Sequence, residues 1–164
     1  MMRMLLVGAV ILVAWPATAG PLGPGDRLPP FAIEDQRGNE HTVDARVRAV
    51  LFAQDMTGGD ILEAALADSG ALRLAEADAV YVANVSGMPA IIRRLFALPS
   101  LRRRGYPVLL DTDGQLTRGL PGADGKATLI QLRELEIVDV THYDAGDALR
   151  EALLSIRGDS PDPR

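Results

Sequence analysis

Val47-Arg-Ala-Val-Leu-Phe-Ala53, running directly into Gln54-Asp-Met-Thr-Gly-Gly-Asp60, is the stretch that decides the fold of this chain. Its centre, Val50-Leu51-Phe52, is continuously apolar, the pattern of a strand covered on both faces, with helices expected above and below its sheet. Asp60 with Glu63 three residues on has capping-box spacing, and Leu62, Ala65, Leu66 and Ser69 follow at i, i+3, i+4, i+7. The spacing predicts a buried strand feeding a helix, with Gly70 as the helix stop.

Outward from that unit the same alternation continues. Ala79 to Val85 reads as a second buried strand, and Pro89 opens a further helix whose core face is Ile91, Ile92, Leu95 and Phe96. Pro99 should kink or end that helix, because it has no N–H to donate and its ring crowds the preceding turn. Pro107 to Leu110 is a short apolar strand closed by an Asp111-Thr-Asp-Gly114 turn. Ala127 to Leu132 and Leu135 to Thr141 read as a tight hairpin around Arg133-Glu134, although the Asn-Gly or Asp-Gly signature is missing. Asp144 is placed to cap a last helix with the stripe Leu149, Ala152, Leu153 and Ile156, ended by Gly158. Before the deciding stretch, Phe31 to Ile33 and His41 to Val43 flank an Asp35-Gln-Arg-Gly38 turn as an N-terminal hairpin. Parallel crossovers followed by an antiparallel pair imply an α/β fold: a mixed central β-sheet flanked by helices, with that hairpin in front.

The ends of the chain read differently. Arg3, the apolar run Met4 to Ala14, Pro16 and the small residues Ala17-Thr-Ala19 form a signal-peptide pattern, with cleavage after Ala19. A retained membrane anchor is the alternative. Residues 20–157 then form one domain, preceded by an extended Gly- and Pro-rich leader to Arg27, and 158–164 is expected to be a disordered tail. The remaining apolar runs are too short to span a bilayer, so no membrane span is expected after cleavage. With 22 acidic against 17 basic residues and a net charge of −5, the chain offers no general case for nucleic-acid binding. It contains no Cys, which removes disulfide support even though export would permit it.

Three stretches together resemble the thioredoxin superfamily, in its exported thiol-reductase and peroxiredoxin-like branch. They are Gly25-Asp-Arg-Leu-Pro-Pro-Phe31 with Asp35 and Gly38, Pro107-Val-Leu-Leu-Asp111 with Gly114, and the closing strand pair and helix. The resemblance implies a thioredoxin-like fold from Gly25 to Ile156. It also implies a redox motif beginning five residues after Phe52, with Thr57 at the first cysteine position, Asp60 at the second, Gly58 and Gly59 between, and Met56 in place of the usual Trp. In a peroxiredoxin register Thr57 matches the family's Thr and Asp60 replaces its peroxidatic Cys. The family's cis-Pro falls on Ala127, ahead of Thr128, so a trans bond and an altered loop are expected. Thiol exchange and thiol peroxidase chemistry need a sulfur of lowered pKa, and neither register supplies one. The signal peptide, the Pro29-Pro30 opening and the stretch Asn84 to Leu132 are also similar to a small periplasmic group of Gram-negative bacteria that has this fold and no redox motif.

These substitutions leave Met56, Thr57, Gly58, Gly59, Asp60, Ala127 and Thr128 as vestigial site positions with no catalytic residue assigned. Thr57-Gly-Gly-Asp60 could bind an anion, but Asp60 opposes that and the stretch serves equally as a plain helix start. His41 and His142, with Met56 or Met88, lack paired ligand spacing, so no metal is assigned. Solvated surface positions are expected for both histidines. Asp111, Asp113 and Asp124 lack the terminal Glu of a Ca²⁺ loop, and no Ser-His-Asp arrangement occurs. Arg93, Arg94, Arg102, Arg103 and Arg104 form the one basic cluster in an acidic chain, a candidate surface for an acidic partner or lipid headgroups, or simply a solvated helix face. The expected function is a redox-inactive periplasmic protein that needs no cofactor and binds a polypeptide partner or assists assembly. The alternatives are a non-thiol enzyme or a copper carrier using the remodelled groove.

Overall fold

All five residues of β3 (Ala49–Ala53) are buried, and everything else in the architecture follows from covering both of its faces. The computed structural model describes residues 20–158; the expected signal segment and residues 159–164 lie outside the described residues. Beside β3 runs β4 (Ala79–Asn84), parallel, with Phe52 opposite Val82, and beyond it β5 (Leu109–Asp111), also parallel. On the other side β6 (Ala127–Arg133) is antiparallel, with Phe52 opposite Thr128, and β7 (Glu136–Tyr143) returns along it. The order β5-β4-β3-β6-β7 is the mixed sheet expected from the sequence.

Helices cover one face. α1 (Met56–Leu66), α2 (Gly70–Glu76) and α5 (Gly146–Gly158) bring Leu62, Leu66, Leu74, Leu149 and Leu153 onto Leu51, Tyr81 and Leu129. The opposite face, carrying Val50, Phe52, Val82 and Ile130, is covered by other means. Ile33 and Val43 of the hairpin β1 (Phe31–Glu34) and β2 (Glu40–Val43) pack there, with Leu28 and Leu120. The hairpin is fastened to the sheet edge by a bridge from Asp35 to Leu109, and the leader by one from Arg27 to Glu136. Backbone hydrogen bonds that the leader makes to β7 hold it in place, so a helix is not needed on that side.

Several local expectations are corrected. α1 starts at Met56, not after Asp60: Asp55 is its cap, extended at φ −141°, and accepts the Gly58 N–H at 2.8 Å. Asp60 therefore lies in the second turn, and Glu63 pairs with Arg104 rather than closing a capping box. Gly70 does not stop α1. The chain turns at Asp68, whose φ is 65°, and Gly70 opens α2 because a Cβ there would overlap the Tyr106 ring. Ser69 accordingly precedes α2 instead of joining the α1 stripe. Gly158, expected in the tail, is the last residue of α5.

The largest correction concerns the segment after β4. It is helical from α3 (Ala90–Ile92) through a π-helical turn, Arg93–Ala97, into α4 (Leu98–Arg102), so Pro99 neither ends nor breaks it. The Leu98 N–H reaches the Arg93 carbonyl, five residues back, which opens the coil just ahead of a proline that cannot make the ordinary bond. A π turn inserts one residue and rotates what precedes it by about 100°. Leu98 and Leu101 consequently pack on the core, whereas Ile91, Ile92, Leu95 and Phe96, expected to form the core face, are exposed by 66, 43, 58 and 67%.

The β6–β7 turn closes on Glu134 and Leu135, with φ of 51° and 69°, a two-residue turn of the type that normally demands Asn-Gly. The Leu135 side chain is buried in the second-face cluster, and that burial offsets the left-handed backbone. Asn tolerates the left-handed region better than Glu, so Glu134→Asn should raise stability by about 0.5–1 kcal/mol, read as a higher urea midpoint at unchanged m-value.

Candidate functional site

The positions that the resemblance assigns to redox chemistry meet at the carboxyl end of β3, and the residue that organises them is Asp55. One carboxylate oxygen caps α1 through the Gly58 N–H, and the other accepts the Gly125 N–H at 2.7 Å from the loop before β6. The bonds from Gly125 and Gly58 hold its carboxyl below the usual carboxylate range, against the opposing effect of burial. Gly58 is buried against the Lys126 carbonyl, so closely that a Cβ would overlap it. Gln54 donates to Asp124 at 2.6 Å and fastens the same loop over the end of β3. The Lys126–Ala127 peptide is trans, as is every described peptide bond.

This arrangement separates those positions. Met56, Thr57 and Asp60 are exposed, Met56 by 76%, and Gly59 is half-buried. Ala127 and Thr128 are fully buried, and Thr128 Oγ1 lies 2.9 Å from His142 Nδ1. The structure thus brings Gly58 and the residue before Ala127 into contact and leaves Thr57 and Asp60 facing outward on their own. The hydroxyl that pairs with the His142 imidazole, that of Thr128, is fully buried, and no buried side-chain polar atom among the described residues lacks a partner. Nor do any three His, Asp or Glu side chains among the described residues converge as metal ligands.

A second constellation was not foreseen from sequence. The D-x-x-G turn folds into a buried knot in which Asp35 Oδ1 accepts the Arg37 and Asn39 N–H groups. Asp35 Oδ2 accepts from Asn39 Nδ2 and meets His41 Nε2 at 3.0 Å. His41 is therefore tied to the knot within the hairpin, while its side chain stays 34% exposed. Burial alone would raise the Asp35 carboxyl, but the bonds from Asn39, His41 and Arg37 outweigh it and hold it well below the usual range. Gln36, fully buried, donates to the Tyr106 and Leu101 carbonyls and accepts the Val108 N–H. The only advance signal was the D-x-x-G pattern itself; nothing in the sequence marks Gln36 as internal.

The five arginines are dispersed by these contacts. Arg102 Nε donates to the Gln36 carbonyl, and Arg104 is drawn inward to Glu63 and the hydroxyls of Tyr81 and Tyr106. Burial pushes the Tyr81 hydroxyl up to about 12 despite that cation. The Arg103 side chain bonds only to the Pro99 carbonyl, at 3.4 Å, among the described residues. Arg93 is half-buried and, with Leu98 and Arg102, lines a cleft of about 530 Å³. The Asp35 turn and Asp111 form the cleft's other wall. Asp111 has its own bonds to Gly114 and Thr117, as a turn residue should. Arg94 is exposed.

No family model matches the chain, and no curated protein matches it. Solved structures do. A peroxidoxin, BcpB, of Mycobacterium tuberculosis is 24% identical at a TM-score of 0.57, covering 85% of this chain and 99% of that one. A protein assigned as a disulfide isomerase from Bacteroides thetaiotaomicron is 19% identical at 0.57, covering 83% and 91%. A protein assigned as a thiol:disulfide interchange protein, DsbE, from Chlorobium tepidum is 18% identical at 0.55, covering 84% and 99%. The fold of this chain is therefore thioredoxin-like. It is carried here without the sulfur on which thiol redox chemistry depends.

Two carboxylates give tests of this construction. Asp55→Ala should cost about 1–2 kcal/mol in urea unfolding and speed amide exchange at Gly125, while the nearby exposed Asp60→Ala should do neither. Asp35→Ala should cost about 2–3 kcal/mol. Because the folded Asp35 carboxyl titrates below its unfolded value of about 4, its contribution is full above that pH and is lost on further acidification. An Asp35→Asn variant should consequently show a shallower loss of stability below pH ~4 than the parent.

Proposed function

We propose that this is a redox-silent thioredoxin-fold protein of the periplasm, exported by its first nineteen residues, which binds a polypeptide instead of reducing one. The observation that carries the reading is the outward-turned apolar quartet Ile91, Ile92, Leu95 and Phe96. Monomeric domains rarely leave such a contiguous group uncovered unless something docks on it. Met56 starts α1 directly after β3, and the quartet follows β4, its parallel neighbour, so both lie toward the carboxyl end of the sheet. The closed clasp around Asp55 supports the same reading, since it replaces a reactive centre with a hydrogen-bonded one. No helix among the described residues is long and apolar enough to cross a membrane.

Binding is tested with a fluorescently labelled, permanently unfolded model polypeptide. Saturable binding is expected, weakened roughly tenfold or more in a folded Leu95→Ser/Phe96→Ser variant. Absence of saturation, or equal binding by that variant, overturns the reading. Export is tested separately: N-terminal sequencing of the protein from an envelope fraction should begin at Gly20, and an intact Met1 would exclude cleavage.

A further inference from the structure

The charge distribution around the exposed quartet says more about its occupant. From Ala79 to Leu110 the chain contains five arginines and no acidic residue, so the rest of the sequence carries ten excess negative charges against a net −5 for the whole. Within that segment Arg102 and Arg104 are turned to internal acceptors, but Arg94 is exposed beside the quartet with no hydrogen bond or ion pair among the described residues. Arg103 is exposed as well, its side chain making only the long bond to Pro99 among the described residues. The π turn is what sets Leu95 and Phe96 outward, next to Arg94. Apolar contact area and uncompensated cations thus occupy one short helical surface.

We infer that the polypeptide held by this face is acidic: a segment whose apolar side chains cover Ile91, Ile92, Leu95 and Phe96 while its carboxylates meet Arg94 and Arg103. The inference rests on the polypeptide-binding reading above and adds the charge of the partner. Charge complementarity of this kind favours the right partner and penalises basic ones. An anionic membrane would meet the same arginines, but it is an extended surface that also faces the strongly acidic remainder of the domain. Repulsion over a screening length of about 10 Å works against that approach, whereas a short segment feels chiefly the local cations.

Three short labelled peptides with identical apolar residues, carrying Glu, Gln or Lys at the intervening positions, decide the matter by fluorescence anisotropy. The Glu peptide should bind roughly tenfold more tightly than the Gln peptide at low salt, and the Lys peptide least. That preference should collapse as salt approaches 1 M, where screening shortens to about 3 Å. It should also vanish in a folded Arg94→Gln/Arg103→Gln variant, while Phe96→Ser weakens all three peptides alike. Equal binding of the three peptides overturns the inference and leaves polypeptide binding standing. Binding of none overturns both. Co-sedimentation with vesicles containing anionic phospholipid, with no peptide bound, overturns both in favour of a lipid surface.

Discussion

One carboxylate ties the two halves of the sheet's carboxyl end together. Asp55 terminates the β3–α1 connection and, through Gly125, fixes the start of β6, the strand that pairs on the other side of β3. Each oxygen satisfies a backbone donor that helix and loop would otherwise leave open. Because both bonds come from one side chain, the spacing between α1 and the β6 loop is set to within a hydrogen bond's tolerance. Gly58 then becomes obligatory, since only a residue without Cβ can lie against the Lys126 carbonyl at that spacing. The carboxyl end of β3 is thereby held closed by its own hydrogen bonds.

A comparable economy holds the opposite edge. β5 is only three residues long and could not secure an edge by strand pairing alone. Gln36 compensates by entering the core with every polar atom bonded, joining the N-terminal turn to the chain on either side of Tyr106. A buried amide with all partners present adds specificity to a short, otherwise ambiguous pairing. The Asp35 knot holds the turn from which Gln36 projects, so hairpin, edge strand and α4 are positioned as one unit.

How much of this could be read in advance depends on the range of the interaction. The strand ending at Phe52, the hairpin flanking Asp35 and the closing β6–β7–α5 unit announce themselves through period, and their order led to the thioredoxin-like sheet. Counting from Phe52 set Thr57, Asp60 and Ala127 against the positions that the resemblance implies, and the absence of cysteine was legible from composition alone. What was not legible was choice among near-equivalents: Asp55 and Asp60 are both competent caps, and only the Gly125 donor, 70 residues away, favours the first. Gln36 carried no signal because its partners are backbone atoms more than 60 residues on. The outward turn of Ile91 to Phe96 failed for a different reason, since pattern reading assumes one residue period along a helix and the chain uses two.

That last feature means that the identity of a surface here is written in the count of residues rather than in their kind. In an uninterrupted helix Ile91 and Leu95 would fall in line with Leu98 and Leu101 and disappear into the interior. A single extra residue ahead of Pro99 displaces them, and the same composition becomes an outer face. A return to ordinary four-residue hydrogen bonds through Arg93–Ala97, with every residue kept, would reverse the exchange and take the apolar side chains inward with no substitution anywhere. Such a segment can acquire or surrender a contact surface through its hydrogen-bond register alone, a route that comparison of aligned side chains would pass over.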